Sequence, residues 1–245
     1  MEVHHHTHHP KKWKEYITEF VMLFAAVTLG FFAENQREHL VERHREKQYM
    51  ESLLEDLKRD TAELNSAKKV YLRQIGRLDS TIGMFYEGKY DIPTLKILYR
   101  LNLGTLGNRG IRLTERTTTQ LKNAGGMRLV ENVTISDMIA NYWKWAEYMQ
   151  SYGNTTEELK IRAREKSYAI FDQRYYENVE RSIANLNIKD EVKLMTYDYN
   201  TLAEFANRLS HVKNSIKNVQ IVQIDETHKV ADSLLKMIPA VYKIH

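Results

Sequence analysis

A chain of 245 residues holds one large or two small domains. It has no Cys, which excludes disulfides, thiolate metal sites, lipid attachment through Cys and Cys nucleophiles. Its net charge of +4 comes from Lys and Arg interleaved with Asp and Glu, and nucleic-acid recognition, which needs clustered basic charge on one face, is not expected.

Gly and Pro are scarce, at 10 and 3 residues. All the Gly lie between Gly30 and Gly153, and neither residue occurs from Asn154 to Ile238. Gly loses the most backbone entropy in a helix, and Pro removes a donor and clashes with the preceding turn. The expected fold class is therefore all-α: one N-terminal transmembrane helix continuing into a long stalk helix, plus an extramembrane helical bundle. The expected organisation is a His/Lys-rich tail over 1–15, a transmembrane helix over 16–33 and a stalk or first bundle helix over 34–86. An irregular helical hairpin region follows over 87–153, and the long-helix part of the bundle over 154–245.

The tail carries His4, His5, His6, His8 and His9. Neutral imidazoles are good ligands for divalent zinc, nickel and copper, and a run of them can chelate through several rings. A metal-capturing or pH-sensing tail is one reading, and metal at these residues is the only cofactor expected. An engineered tag and a solvated tail titrating near neutral pH are the alternatives.

Lys11, Lys12 and Lys14 surround Trp13, and the apolar stretch follows. It is uninterrupted only from Phe20 to Ala33, 14 residues, and reaches 18 when Tyr16 to Glu19 are added. A bilayer needs roughly 20. With Trp13 and Tyr16 at one interface and the lysines snorkelling, the segment is read as a single span. A cleaved signal peptide competes, but Phe31 and Phe32 stand where small residues are needed for cleavage. A buried core helix is the other alternative. Arg37, Arg43, Arg45 and Lys47 nearly balance the three lysines across the span, so charge alone does not orient it. A cytoplasmic N-terminus and a periplasmic C-terminal domain at a bacterial inner membrane are favoured, because long C-terminal domains translocate regardless of charge.

Glu19 lies inside the span, one turn from its basic end. Ionisable residues at membrane depth are functional candidates, and an interfacial carboxylate pairing with Lys12 or Lys14 is the plainer reading. Ala26 and Gly30 form a small-xxx-small pair through which two helices could pack.

Beyond the densely charged segment 34–48, Met50, Leu53, Leu54, Leu57, Leu64, Ala67, Tyr71, Ile75, Leu78, Ile82 and Phe85 recur at three and four, with one gap at Thr61. That is a helical stripe, with Glu51, Asp56, Lys58, Arg59 and Glu63 assigned to other faces. It is wider than a strict coiled-coil seam, which favours packing on the chain's other helices. Asp91 and Pro93 predict the cap and first turn of a new helix. Gly104, Gly107 and Gly110 lack a closing Lys-Ser or Lys-Thr and are read as a flexible surface loop.

A helix is predicted to end near Asn123, with Gly125 or Gly126 as a left-handed cap. The next should begin near Thr134 or Ser136 and carry Met138, Ile139, Tyr142, Trp143 and Trp145. The start MEVHHH, the exit Phe31 to Asn35, and Leu121, Lys122, Gly125, Met127, Arg128, Leu129, Val130 and Asn132, followed by Asp137 and Tyr142, carry a resemblance. Together they resemble a family of single-span Gram-negative bacterial membrane proteins with a His-rich N-terminus and a domain of unknown function, over roughly the first 145 residues. The resemblance implies an anchor and an envelope location and no chemistry. Leu121, Lys122, Gly125, Arg128, Asn132, Asp137 and Tyr142 are read either as a packed helix hairpin or as a recognition patch.

A long helix is expected from Thr155 to about Leu186, then a break over 185–190. A helix capped by Asn200 or Thr201 follows, in which Leu202, Phe205, Leu209, Val212, Ile216 and Val219 form a 3-4-3-4-3 seam. A last apolar stretch ends at Pro239. Many of the 15 Tyr are expected at helix contacts with their hydroxyls at the surface. His211 and His228 are isolated, and no phosphate loop, dinucleotide fingerprint, HExxH or GxSxG occurs. The expected function is a membrane-anchored, non-enzymatic interaction or scaffold protein of the bacterial envelope. Its partners would be membrane lipid and a second copy of itself or other envelope membrane proteins. The alternative is an accessory or sensor subunit of an envelope transport complex, coupled to ions through Glu19 or the His cluster.

Overall fold

The computed structural model describes residues 12–107, 109–123, 125–177 and 188–244. Every regular element among them is helical, and the fold is all-α. The chain divides into two compact units, Met1–Tyr49 and Met50–His245. The first helix, α1 (Trp13–Glu87), contributes residues to both.

In the first unit, α1 carries the apolar stretch with none of it buried. Phe20, Leu23, Phe31 and Phe32 are each more than half exposed. This is a helix long and apolar enough to cross a membrane. Its first turn is closed by the Glu15 carboxylate, which accepts from the Lys12 amide at 3.2 Å.

In the second unit the order is the rest of α1, then α2 (Ile92–Thr105), α3 (Arg116–Asn123), α4 (Val133–Ser167), α5 (Tyr199–Ser215) and α6 (Ile221–Tyr242). Single 3-10 turns lie at Gly126–Leu129 and Gln173–Tyr176, and a π turn, Ile216–Gln220, joins α5 to α6. Three long rods result, and side-chain pairs fix their directions. On α1 against α5–α6, Asn65 meets His228, Lys68 meets Asp225, Asp79 meets Lys213 and Tyr86 meets Asn207. As one number rises the other falls, so the rods are antiparallel. Lys166 with Glu204 and Thr156 with Ser215 set α4 antiparallel to α5 in the same way.

Each rod carries its buried positions at spacings of three and four. On α1 this repeat runs through the buried positions Met50, Leu53, Leu57, Asp60, Leu64, Ala67, Tyr71, Gln74, Leu78, Thr81 and Phe85, with Leu54 and Asp56 buried beside it. A 3.5-residue repeat keeps one face toward its neighbours along the whole helix. Burying each large apolar side chain here stabilises the domain by about 1.5–3 kcal/mol before entropy is counted. At one end of the bundle an aromatic cluster closes the core. Phe85, Phe171 and Phe205 meet edge-on at centroid distances of 5.5–6.2 Å, and Tyr99 meets Phe171 at 5.0 Å.

The expected stripe on α1 is present, and Asp91 caps α2 by accepting from the Thr94 amide at 3.0 Å, with Pro93 in the first turn. Several expectations need correction. Asp56 is not on an outer face but buried, 2% exposed. Residues 104–107 are not a loose surface loop: Gly104 lies in α2, and the carbonyls of Thr105, Leu106 and Gly107 accept from Gln74, Arg164 and Lys160. No helix starts at Thr155, because α4 runs through Gly153 and Asn154 without a break. One Gly costs about 1 kcal/mol in a helix, which packing overrides. Rather than reaching Leu186, α4 stops at Ser167. The cap of α5 is Asp198, whose carboxylate accepts from the Thr201 amide at 2.8 Å, rather than Asn200 or Thr201. Pro239 does not end α6, which continues to Tyr242 and closes with Lys243 in the left-handed conformation, φ 51°.

The largest correction concerns the C-terminal seam. Leu202 through Ile216 are buried as expected, but the next buried position is Gln220, and Val219 is only half-buried. The π turn inserts an extra residue at this point, so the inward position moves on by one.

Candidate functional site

The inward face of α4 is also a heptad: Ile135, Ile139, Tyr142, Ala146, Met149, Gly153, Thr156, Lys160, Ala163 and Ser167. Two of its positions, Ala146 and Gly153, are small. A large side chain at either would fill the space beside it, and here a cleft of about 770 Å3 opens instead. That volume falls in the range of small-molecule sites, roughly 300–1,000 Å3. Its walls are Tyr71 of α1, the Arg109–Glu115 segment, Thr118, Thr119 and Lys122 of α3, Tyr142 to Glu157 of α4, and Gln220 of the π turn.

Two buried aspartates on α1 hold the wall in place. Asp60 accepts from the Thr114 amide at 2.7 Å and from the Tyr142 hydroxyl at 2.6 Å. One turn earlier, Asp56 accepts from the Thr117 amide at 3.1 Å and lies 3.3 Å from the Arg116 guanidinium. Thr117 is in the first turn of α3, where an amide has no partner within its own helix, so Asp56 serves as a cap supplied by another element. Burial holds the Asp60 carboxyl above the usual carboxylate range, against the hydrogen bonds from Tyr142 and Thr114 and with help from the Asp56 charge. Burial and the Asp60 charge push the Tyr142 hydroxyl far above the usual phenol range.

The polar handles of the aromatic walls are all engaged. Tyr71 donates to the Arg109 carbonyl at 3.0 Å, Tyr142 to Asp60, and Trp143 Nε1 to Thr118 Oγ1 at 3.1 Å. Arg109, Lys122 and Glu147 of the wall are paired as well. Arg109 bonds Glu63 at 3.0 Å, and Lys122 bonds Glu147 at 2.7 Å while lying 4.9 Å from the Trp143 ring centre. Lys160 is 2% exposed; it donates to the Gly107 carbonyl at 3.2 Å, with Glu157 at 4.0 Å. Its burial lowers the ammonium pKa, which Glu157 partly offsets. Two polar atoms on cleft-lining residues are buried without a hydrogen bond: Glu157 Oε2 and Gln220 Nε2. Gln220 as a whole is 1% exposed.

The predicted site residues are dispersed. His4, His5, His6, His8 and His9 lie outside the described residues. Glu19 is half-buried on α1, and Ala26 and Gly30 are exposed on the same helix. Of the hairpin motif, Leu121 is fully buried, Gly125 takes the left-handed conformation at φ 64°, and Asn132 caps α4 by accepting from the Ile135 amide at 3.0 Å. Arg128 and Asp137 are exposed and do not line the cleft. Only Lys122 and Tyr142 meet there, joined by Trp143. Gly126 is cramped: a Cβ would lie 3.1 Å from Leu121 Cα. Asp60, Gln74, Thr81 and Lys160 were legible only as polar residues in a core register. Gln220 had no such signal, because the π turn decides its place. Nor do the hydroxyls of Tyr71, Tyr99, Tyr142 and Tyr176 reach the surface; each donates to a carbonyl or carboxylate inside the domain.

Comparison with protein-family profiles, with curated proteins and with solved structures finds no match for this chain.

Proposed function

We propose that the protein is a membrane-anchored, non-enzymatic binding and scaffold protein of the Gram-negative bacterial envelope. The apolar part of α1 sits in the inner membrane, with the N-terminus in the cytoplasm and the bundle in the periplasm. Binding, to a second copy or to another envelope membrane protein, is the work of the bundle.

The observation that carries this reading is the exposure of the whole apolar stretch on α1. Large apolar side chains that find no protein to cover them are stable in hydrocarbon, where a helix satisfies its own backbone. Supporting the non-enzymatic part, Lys122 and Glu147 of the cleft wall pair with each other, and Arg109 and Tyr142 are engaged by Glu63 and Asp60 behind it.

Fractionation and topology test the reading together. The full chain, expressed in a Gram-negative host, should pellet with membranes, resist alkaline carbonate and dissolve in mild detergent. In spheroplasts, added protease should reach the bundle. Recovery in the soluble fraction would sink the anchor, and a bundle protected until the cells are lysed would reverse the orientation. Crosslinking of intact cells should yield a dimer or a defined heteromeric band; a chain that stays monomeric and unlinked would remove the scaffold role.

A further inference from the structure

We propose that the cleft beside α4 is a binding site for a small zwitterion with an apolar side chain, of the amino-acid or short-peptide class. Glu157 receives its ammonium group, and Gln220 Nε2 donates to its carboxylate or terminal carbonyl. The proposal rests on the binding role inferred above and is independent of the membrane anchor.

The first argument is one of unfinished hydrogen bonding. A buried amide N–H without a partner costs about 1–3 kcal/mol, and such groups are uncommon in folded proteins. Gln220 is almost wholly buried, lines the cleft, and leaves Nε2 unbonded. It stands there only because the π turn at Ile216–Gln220 moves the inward position from Val219 to Gln220. Single π turns within helices are concentrated at functional sites, since the local distortion serves a side chain rather than the helix. On the facing helix, Glu157 Oε2 accepts no hydrogen bond, with the Lys160 ammonium 4.0 Å from it and Arg164 3.8 Å from the other carboxylate oxygen.

The second argument is the chemistry of what remains. Because Tyr71, Tyr142 and Trp143 have their polar atoms engaged, these rings offer the cleft apolar faces. The cleft's ionisable lining is balanced, with Arg109, Arg112 and Lys122 against Glu115, Glu147 and Glu157. A strongly anionic or cationic ligand gains nothing from such a wall, whereas a molecule with one donor end, one acceptor end and an apolar body finds a complement for each part.

The third argument is the space itself. Gly153 sits within α4, where glycine costs about 1 kcal/mol relative to Ala. A Cβ there would meet only Gln220 Oε1, at 4.0 Å, so helix packing does not require glycine. Its absence of a side chain keeps the cleft open in front of Gln220.

The test uses the full chain in detergent micelles and calorimetric titration with L-phenylalanine, Gly-Phe and Phe-Gly-Gly. Phenethylamine and 3-phenylpropionate serve as half-ligands that carry only the ammonium or only the carboxylate. At least one zwitterion should bind saturably with submillimolar Kd, and each half-ligand should be weaker by about tenfold or more, the value of one buried hydrogen bond to a charged group. Binding of phenylalanine identifies the free amino acid as the source; binding of the peptides alone identifies a peptide terminus. Gln220→Leu and Glu157→Gln should each weaken binding by about tenfold. Gly153→Leu should abolish it by filling the space, which keeps the test open if the Gln220 variant fails to fold. No saturable heat with any zwitterion up to about 10 mM, equal affinity for a half-ligand, or binding untouched in folded Gln220→Leu and Gly153→Leu proteins would each overturn the proposal. Turnover of a bound peptide would overturn the non-enzymatic reading while leaving the site in place.

Discussion

The Tyr142 hydroxyl donates to the Asp60 carboxylate at 2.6 Å, and both residues are at most 3% exposed. This bond joins α4 to α1 at the wall of the cleft. Its other oxygen fixes Thr114, so a single carboxylate holds two elements in register. Tyr142→Phe keeps the ring and removes the donor. It should cost about 1–3 kcal/mol at neutral pH, read from urea midpoints in detergent, because Asp60 is then a buried acceptor short of a partner. An unchanged midpoint would mean the bond is not formed in solution.

Asp60 also predicts a pH dependence. Its folded-state pKa is raised above the ordinary 3.8, mainly by burial. Between the two values the folded protein binds more protons than the unfolded chain. The contribution is therefore fully present below the unfolded pKa and lost as pH rises through the folded one. Asp60→Asn cannot titrate, so the stability of wild type relative to this variant should decline as pH rises through the window just above 3.8. Parallel profiles for the two proteins across that window would contradict the assignment.

Gly125 and Gly126 should respond to alanine for different reasons. At Gly125 the left-handed backbone, φ 64°, is the obstacle, worth about 1–2 kcal/mol. At Gly126 the obstacle is space, since a Cβ would lie 3.1 Å from Leu121 Cα and 3.2 Å from its Cδ2. Leu121 is fully buried and has little room to yield, so Gly126→Ala should cost about 1–3 kcal/mol. Leu121→Ala should rescue Gly126→Ala in part and leave Gly125→Ala unimproved. Equal response of both glycines to the second substitution would remove the distinction.

Asn132→Ala removes the cap of α4 and should lower stability by about 0.5–2 kcal/mol. Asn132→Asp keeps the acceptor and should restore most of it. If the aspartate is as unstable as the alanine, the side chain's role lies elsewhere.

Gly153→Ala should stabilise the bundle, by up to about 1 kcal/mol, because the position is helical and the added methyl meets nothing closer than 4.0 Å. A loss of stability would show that the cleft is narrower than the geometry indicates.

The helical class, the apolar segment and most of the core stripe on α1 were legible in the sequence because they are matters of local period and composition. Met50 to Phe85 recur at three and four whatever they pack against, and Asp91-Ile92-Pro93 carries its own cap. Polar members of the same register were not legible as core. Asp56 read as an outer-face acid and Asp60 only as a polar residue in the register, because what buries them, Thr114, Thr117 and Tyr142, lies more than fifty residues away. The end of α4 at Ser167 and its passage through Gly153 were equally hidden, since packing overrides a single propensity.

By itself, then, the sequence determined that this chain is helical and that Tyr16 to Ala33 is apolar enough for lipid, because those properties depend only on residues near one another. Tertiary structure alone decided that a cleft opens at Ala146 and Gly153 and that Gln220, not Val219, faces it. A cavity is what neighbouring helices leave unfilled, and a π turn is a choice of backbone hydrogen bonds that side-chain spacing does not encode.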